Sequence, residues 1–315
     1  MDTFKVKNRL AKYTIVSFIL VIQALQISAQ DSLLKSLNDS LLAANEKEHV
    51  TGTFKALYIV NMKTVEAPAA GALNVEIQHR FGTLNLGAHY LFGLDFATLR
   101  LGLDYGITDR LSVGIGRSSW LQTFDGYLKY KLLRQTVNST TMPVTVSLLA
   151  TTGYYTNTFN DFNGKDSTLK EKDRLSYTAQ ILIARKFNSL FSLEITPTFI
   201  HYNRVLSTAD HNNVFALCGG ARMKISKRMA LTAEYNYLLP DQLVSMPHKN
   251  SLSFGWDIET GGHVFQLIFT NAVSMIEPQY IGQTADSWSN GGIYFGFNLS
   301  RNFNLKSHNT KKPSS

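Results

Sequence analysis

The residues able to do chemistry are scattered along the chain. Its eight histidines fall at 49, 79, 89, 201, 211, 248, 263 and 308. No two share helical spacing and there is no Cys-x-x-Cys, so neither a structural zinc site nor a metalloprotease is expected. Asp161-Phe162-Asn163-Gly164-Lys165-Asp166 resembles a calcium loop, but Lys165 stands where an oxygen ligand is needed and Lys172 where the bidentate Glu belongs. It reads as a solvated loop tip. No phosphate-cradling Gly-Lys-Ser/Thr motif occurs. Asp257-Ile258-Glu259-Thr260-Gly261-Gly262-His263 gathers two acids and a histidine, yet Gly-Gly between two alternating runs is a hairpin turn. The expectation is therefore no enzymatic activity, no cofactor and no metal.

Charge narrows the choice further. Of 31 Lys and Arg, Lys5, Lys7, Arg9 and Lys12 lie near the start and Lys306, Lys311 and Lys312 near the end; setting these and Asp2 aside leaves 24 basic against 22 acidic residues. A nucleic-acid footprint needs clustered cations on one face, so no nucleic acid is expected as partner. The basic start, the apolar run Tyr13 to Leu25 and then Ile27-Ser28-Ala29, with a small residue at the cut, have the layout of an export signal cleaved near Ala29. Thirteen apolar residues are too few for a spanning helix, which needs about 20. The only cysteine, Cys218, permits no internal disulfide.

From residue 72 onward apolar side chains recur at spacing two, which puts them on one face of a strand. Leu99, Leu101, Leu103 and Tyr105, for example, alternate with Thr98, Arg100, Gly102 and Asp104. Twelve such runs predict strands at 72–82, 97–106, 111–118, 122–133, 142–155, 174–187, 190–202, 213–225, 229–239, 250–259, 263–271 and 292–304. These lengths suit strands tilted across a bilayer and exceed the roughly 5 to 6 residues of an ordinary sandwich strand. Every second link is mostly short, while the intervening links at 83–96, 156–173, 203–212, 240–249 and 272–291 are longer, 119–121 being the one short exception. Short turns on one rim and long loops on the other mark an outer-membrane barrel. Lipid satisfies no backbone N–H or C=O, so strands can span it only in a closed sheet. The fold expected is an all-β, antiparallel, up-and-down transmembrane barrel of about 12 strands behind a signal peptide; a soluble antiparallel sandwich would alternate too.

Parity assigns the two faces. Inward, lining the lumen, are Glu76, Asp104, Asp125, Glu194, Glu234, Asp257 and Glu259 with Arg80, Arg100, Lys129, Lys131, Lys186, Arg222 and Lys224. Seven of each sign predict a mutually paired lumen without strong ion selectivity. Gly102, Gly114, Gly220, Gly255 and Gly296 also point inward and leave room. Outward parity falls on His79, Arg117, Arg185 and Arg301; the arginines lie near strand ends, where they can snorkel, and a distorted first strand would account for His79. Tyr105, Tyr130, Tyr154, Phe187, Trp256 and Phe303 read as interfacial girdles.

The organisation expected is a signal peptide (1–29), an N-terminal periplasmic extension or lumen plug (30–71), a barrel (72–305) and a polar tail (306–315). Within the second segment DSLLKSLNDSLLAANEKEH fits a short amphipathic helix, Thr53 to Val60 reads as extended, and Pro68-Ala69-Ala70-Gly71 as a hinge.

FGLDFATLRLGLDYGITDRLSVGIGRSSW (92–120), YLKYKLLRQ (127–135), KISKRMALTAEYNYLLP (224–240) and DIETGGHVFQLIFTN (257–271) together resemble an uncharacterised outer-membrane β-barrel family of Bacteroidota, known as a domain of unknown function. The resemblance runs from about residue 49 to 305 and implies fold and location, with no activity or site residue to transfer. The last strand ends in Phe303-Asn304-Leu305 before the polar tail, where barrels often end on an aromatic.

The role expected is a channel or uptake barrel for a small solute or apolar molecule in the outer membrane, with membrane lipid and the barrel assembly machinery as partners. The alternative is a closed structural barrel presenting its long loops to a partner. A more distant one is a lipid-acting enzyme using His79, although no His precedes a Ser by two positions, the spacing of barrel phospholipases.

Overall fold

A computed structural model describes residues 49–137, 142–157 and 170–305; the leader, residues 30–48, the calcium-like stretch at 161–166 and the tail lie outside them. Twelve strands follow one another: β1 (Ala72–Thr83), β2 (Ala97–Gly106), β3 (Leu111–Ser118), β4 (Thr123–Leu133), β5 (Thr145–Tyr155), β6 (Leu175–Lys186), β7 (Phe191–Tyr202), β8 (Asn213–Lys224), β9 (Met229–Leu238), β10 (Ser251–Thr260), β11 (His263–Thr270) and β12 (Tyr294–Asn304). Each pairs antiparallel with its sequence neighbours, and β1 against β12 closes the barrel. Closure leaves no unpaired sheet edge, which is what allows this sheet to live in lipid. Among the described residues no helix is long and apolar enough to cross a membrane.

Alternation sets which side of the wall each residue faces. Inward positions of β1 carry buried Asn74, Glu76, Gln78 and Arg80, while the outward ones carry Leu73, Val75 and Ile77. Leu101, Ile115, Phe124 and Leu128 are between 50% and 66% exposed on the outer surface. Apolar side chains in such numbers facing outward from a closed sheet form a lipid-contacting belt.

Three sequence expectations need correction. β5 starts at Thr145, not at 142. Trp256 sits mid-strand opposite Leu231 and Leu267, so it belongs to the belt and not to a rim girdle. His79 does point outward, but β1 is undistorted there, with His79 in register between Leu99 and Phe297; the irregularity comes later, between Arg80 and Thr83. The imidazole is accommodated by ring packing, stacked on Phe297 at 5.1 Å and tilted against Phe81 at 4.5 Å. The outward arginines all lie over aromatic faces near strand ends: Arg117 over Phe124 at 4.6 Å, Arg185 over Phe187 at 5.1 Å and Arg301 over Phe303 at 4.8 Å. Each cation is thereby held against the wall where it can reach the headgroups.

Candidate functional site

Two chain segments occupy the lumen. The first, residues 53–66, enters from the short-turn rim as a hairpin. Ile59 N–H donates to the Met62 carbonyl at 2.8 Å and Thr64 N–H to that of Leu57 at 2.8 Å, with Tyr58 opposite Lys63. Asn61 occupies the tip, a position that suits Asn in tight turns. At the open end Thr53 N–H donates to Glu66 Oε1 at 2.8 Å. Phe54, Tyr58, Ile59, Val60, Met62 and Val65 are all buried.

The wall grips this tip with side chains. Glu234 Oε2 accepts the N–H groups of Val60, Asn61 and Met62 at 3.1, 2.9 and 2.9 Å. Three backbone donors converging on one carboxylate oxygen offset the cost of burying the charge. Gln266 Nε2 donates to the Ile59 carbonyl at 2.9 Å and Asn298 Nδ2 to that of Val60 at 2.9 Å. Arg80 donates to Asn61 Oδ1 at 2.9 Å and to Asn298 Oδ1 at 3.0 Å. Lower in the barrel Glu194 Oε2 accepts Val65 N–H at 2.9 Å, and Lys129 Nζ donates to the Thr64 carbonyl at 3.0 Å and to that of Glu66. At the rim Lys186 Nζ reaches the Thr51 carbonyl at 3.0 Å, and Lys131 Nζ lies 3.9 Å from Glu66 Oε2.

The second segment is the link between β11 and β12. It turns inward through buried Ala272, Ser274, Met275 and Ile276 into a short helix, α1 (Glu277–Gly282), every residue of which is buried. Pro in the first turn and Glu277 at its start favour helix initiation there. Tyr280 and Ile281 join Ile200, Val214, Leu238 and Met62 in one apolar cluster. Gln279 Nε2 donates to Thr123 Oγ1 at 2.8 Å and the Tyr202 hydroxyl to the Pro278 carbonyl at 2.5 Å. The two segments meet where Lys63 Nζ lies 2.7 Å from Glu277 Oε1, with side chains only 3% and 1% exposed. The Tyr58 and Tyr127 rings flank the ammonium at 5.1 and 5.0 Å.

Every sequence-predicted lining residue faces the lumen, but most do not pair with one another as expected. Wall-to-wall ion pairs join Arg100 to Asp125 (Nε–Oδ1 2.9 Å) and Arg222 to Asp257 and Glu259 at 3.4 and 2.8 Å. Glu76 and Asp104 share the Asn74 amide at 3.4 and 3.0 Å. Lys224 is partly exposed at the short-turn rim. The remaining predicted residues, Arg80, Lys129, Lys131, Lys186, Glu194 and Glu234, are met by the inserted hairpin and its entry strand. Sequence reasoning passed over Asn61, Lys63, Gln266, Glu277 and Asn298. Gln266 and Asn298 share inward parity, so the polar member of each alternation in β11 and β12 was the available signal.

A family described as "Membrane bound beta barrel domain (DUF5777)" matches residues 54–303, and the chain belongs to it. No curated protein matches the sequence. Among solved structures the NanC porin is 11% identical over 72% of this chain and 97% of its own, with a TM-score of 0.45. The COG4313 outer membrane channel from Pseudomonas putida F1 is 14% identical over 76% and 97%, with a TM-score of 0.43. The Acinetobacter baumannii outer membrane protein Omp33 is 8% identical over 76% and 100%, with a TM-score of 0.40.

Proposed function

We propose that this member of the membrane-bound β-barrel domain family is a passage barrel of the bacterial outer membrane, held closed, for a small solute or apolar molecule. One observation carries the reading. Polar groups of the inner wall, among them Arg80, Lys129, Glu194, Glu234, Gln266 and Asn298, bond to the inserted hairpin, so its withdrawal leaves them lining a hydratable bore. A 12-strand barrel lies between the eight-strand kind that wall side chains can fill and the 16- to 18-strand porins with an open channel. Inward Gly220 and Gly255 widen the bore on the side where the hairpin tip sits. Short turns face the periplasm in this orientation, so the hairpin enters from the periplasm and α1 roofs the bore from outside.

Planar-bilayer recording tests the reading. The native protein should show a low conductance with rare openings, and replacing Asn61 by Ala should multiply the open time. No conductance from either protein, together with no uptake defect on deletion of the gene, would overturn it. We further infer an origin in Bacteroidota from the quoted motifs, and delivery by the barrel assembly machinery through the β12 end. The reading assigns the protein no catalysis: His79 serves as a packing ring, and His79→Phe should leave envelope lipids unchanged.

A second reading, a barrel that displays its loops to a partner, is favoured by the β1–β2 link. There Leu91 and Phe92 are 56% and 54% exposed at positive φ, 48° and 53°. Holding bulky residues in that region is strained, and strain is often kept at functional loops.

A further inference from the structure

The hairpin tip is bound as a ligand would be. Its backbone does not extend the barrel's hydrogen-bond ladder; it carries its own pairing and meets the wall through side chains. Three of its partners read the backbone: Glu234 takes three successive N–H groups, while Gln266 and Asn298 donate to the carbonyls of Ile59 and Val60; Arg80 and Ser253 meet the Asn61 side chain.

The wall also has room for the side chains that go with this backbone. At Gly220 an added Cβ would lie 2.3 Å from Ile59 Cδ1, and at Gly255 an added Cβ would lie 3.3 Å from Val60 Cγ2. Gly220 is thus a notch filled by Ile59, while the recess at Gly255 is shared by Val60 and the wall's own Thr232, whose Oγ1 would lie 2.3 Å from the added Cβ; a larger residue at either position would obstruct the seat. Backbone readers beside two notches that hold aliphatic side chains are the components of a peptide-recognition site. The site lies in the bore, and one segment of the protein already fills it.

The geometry points to the hairpin tip as a built-in stand-in for the transported solute, which is a short peptide carrying two adjacent aliphatic residues. This deepens the passage reading and rests on it. A peptide that reproduces the contacts of Ile59 to Met62 competes with the hairpin for Glu234, Gln266, Asn298 and the two notches. Its binding favours the hairpin-out state in proportion to its preference for that state. Cargo of the right chemistry thereby opens its own path, and a solute without amide groups has no such leverage. Arg80, next to Asn61 Oδ1, disfavours a cationic residue at the third position and accepts an amide or carboxylate there.

Hydrogen exchange on the full-length protein in lipid nanodiscs tests the proposal without altering the chain. The probe is acetyl-Ile-Val-Asn-Met-amide at millimolar concentration, compared with a neutral trisaccharide of similar mass. The peptide should accelerate exchange of the 57–64 amides at least fivefold, and the sugar should leave it unchanged. In Gly220→Val, whose new side chain fills the Ile59 notch, exchange should already be fast without peptide and should not respond to it. Glu234→Gln, which keeps the shape, should weaken the peptide response at least threefold. Equal effects of peptide and sugar, or none from either, would overturn the peptide site. Bilayer recordings separate this from the parent reading. Conductance without a peptide response leaves a passage barrel lacking this site, whereas a peptide response without conductance leaves a peptide-binding barrel that is not a passage.

Discussion

The two segments that fill the lumen are held by different balances of polar and apolar contact. The hairpin of residues 53–66 combines apolar packing of Phe54, Ile59 and Val65 against Tyr127, Leu149 and Leu182 with a dense set of hydrogen bonds to polar wall residues, whereas α1 is seated mostly by apolar packing of Tyr280 and Ile281 against Ile200, Val214 and Leu238 with fewer polar ties. Water can replace a polar grip with little net change, because a hydrogen bond lost to protein is regained to solvent. It cannot replace an apolar contact, whose loss exposes oily surface. On the passage reading, the more hydrogen-bonded hairpin is the element expected to leave, at the cost of its Lys63–Glu277 contact, and α1 the element expected to stay.

Breaking the contact between the two should have the largest effect. Lys63→Ala leaves Glu277 charged and sealed, a change expected to cost about 3–5 kcal/mol; denaturant unfolding in detergent micelles measures it. Replacing both partners, Lys63→Met with Glu277→Leu, should recover most of that loss. Next comes the roof itself. Ile281→Ala opens a cavity in the apolar cluster and should cost about 2–4 kcal/mol without raising conductance. An Ile281→Ala protein that leaks more than Asn61→Ala would reverse the assignment of moving and fixed parts. Asn61→Ala should cost about 1.5–3 kcal/mol, from the lost bonds to buried Arg80 and to Ser253, while increasing open time, as single-channel recording would show.

The smallest effect lies in the outer loops, where the β9–β10 link packs Leu243 beside α1. Asp210 ties the β7–β8 link to the β9–β10 link by accepting Val244 N–H at 2.7 Å, Ser245 N–H at 2.9 Å and the Ser245 hydroxyl. Burial alone would raise its carboxyl, but these hydrogen bonds outweigh it and hold the pKa below the usual aspartate value. Because the folded value is the lower one, the stabilisation is complete above the unfolded value of about 3.9 and fades as pH falls through the folded value. Exchange of the Val244 and Ser245 amides should quicken relative to the barrel amides on acidification below about pH 4, and Asp210→Asn should remove that pH dependence.

Strands were legible in the sequence because each must satisfy two solvents at once. Lipid on one side and a polar lumen on the other force a change of character at every residue, which is why β2 and β3 match their expected bounds. Parity likewise placed the fourteen charged residues on the inner face. Their partners were not legible. The stretch from Thr53 to Val60 reads only as extended, and the pairing of Val60 with Glu234 spans a separation of 174 residues. No local pattern encodes a contact of that range. Glu277 sat in a link long enough to pass for a solvated loop, and only the inward turn of that link gives its charge a buried mate in Lys63.

The tip of the hairpin touches β1, β9, β10, β11 and β12, yet it is translated before all of them. Its seat does not exist until the last strands have been made and the sheet is nearly shut. A barrel that stalls with its seam open thus lacks the parts that hold the hairpin, so seating of the tip reports a finished wall.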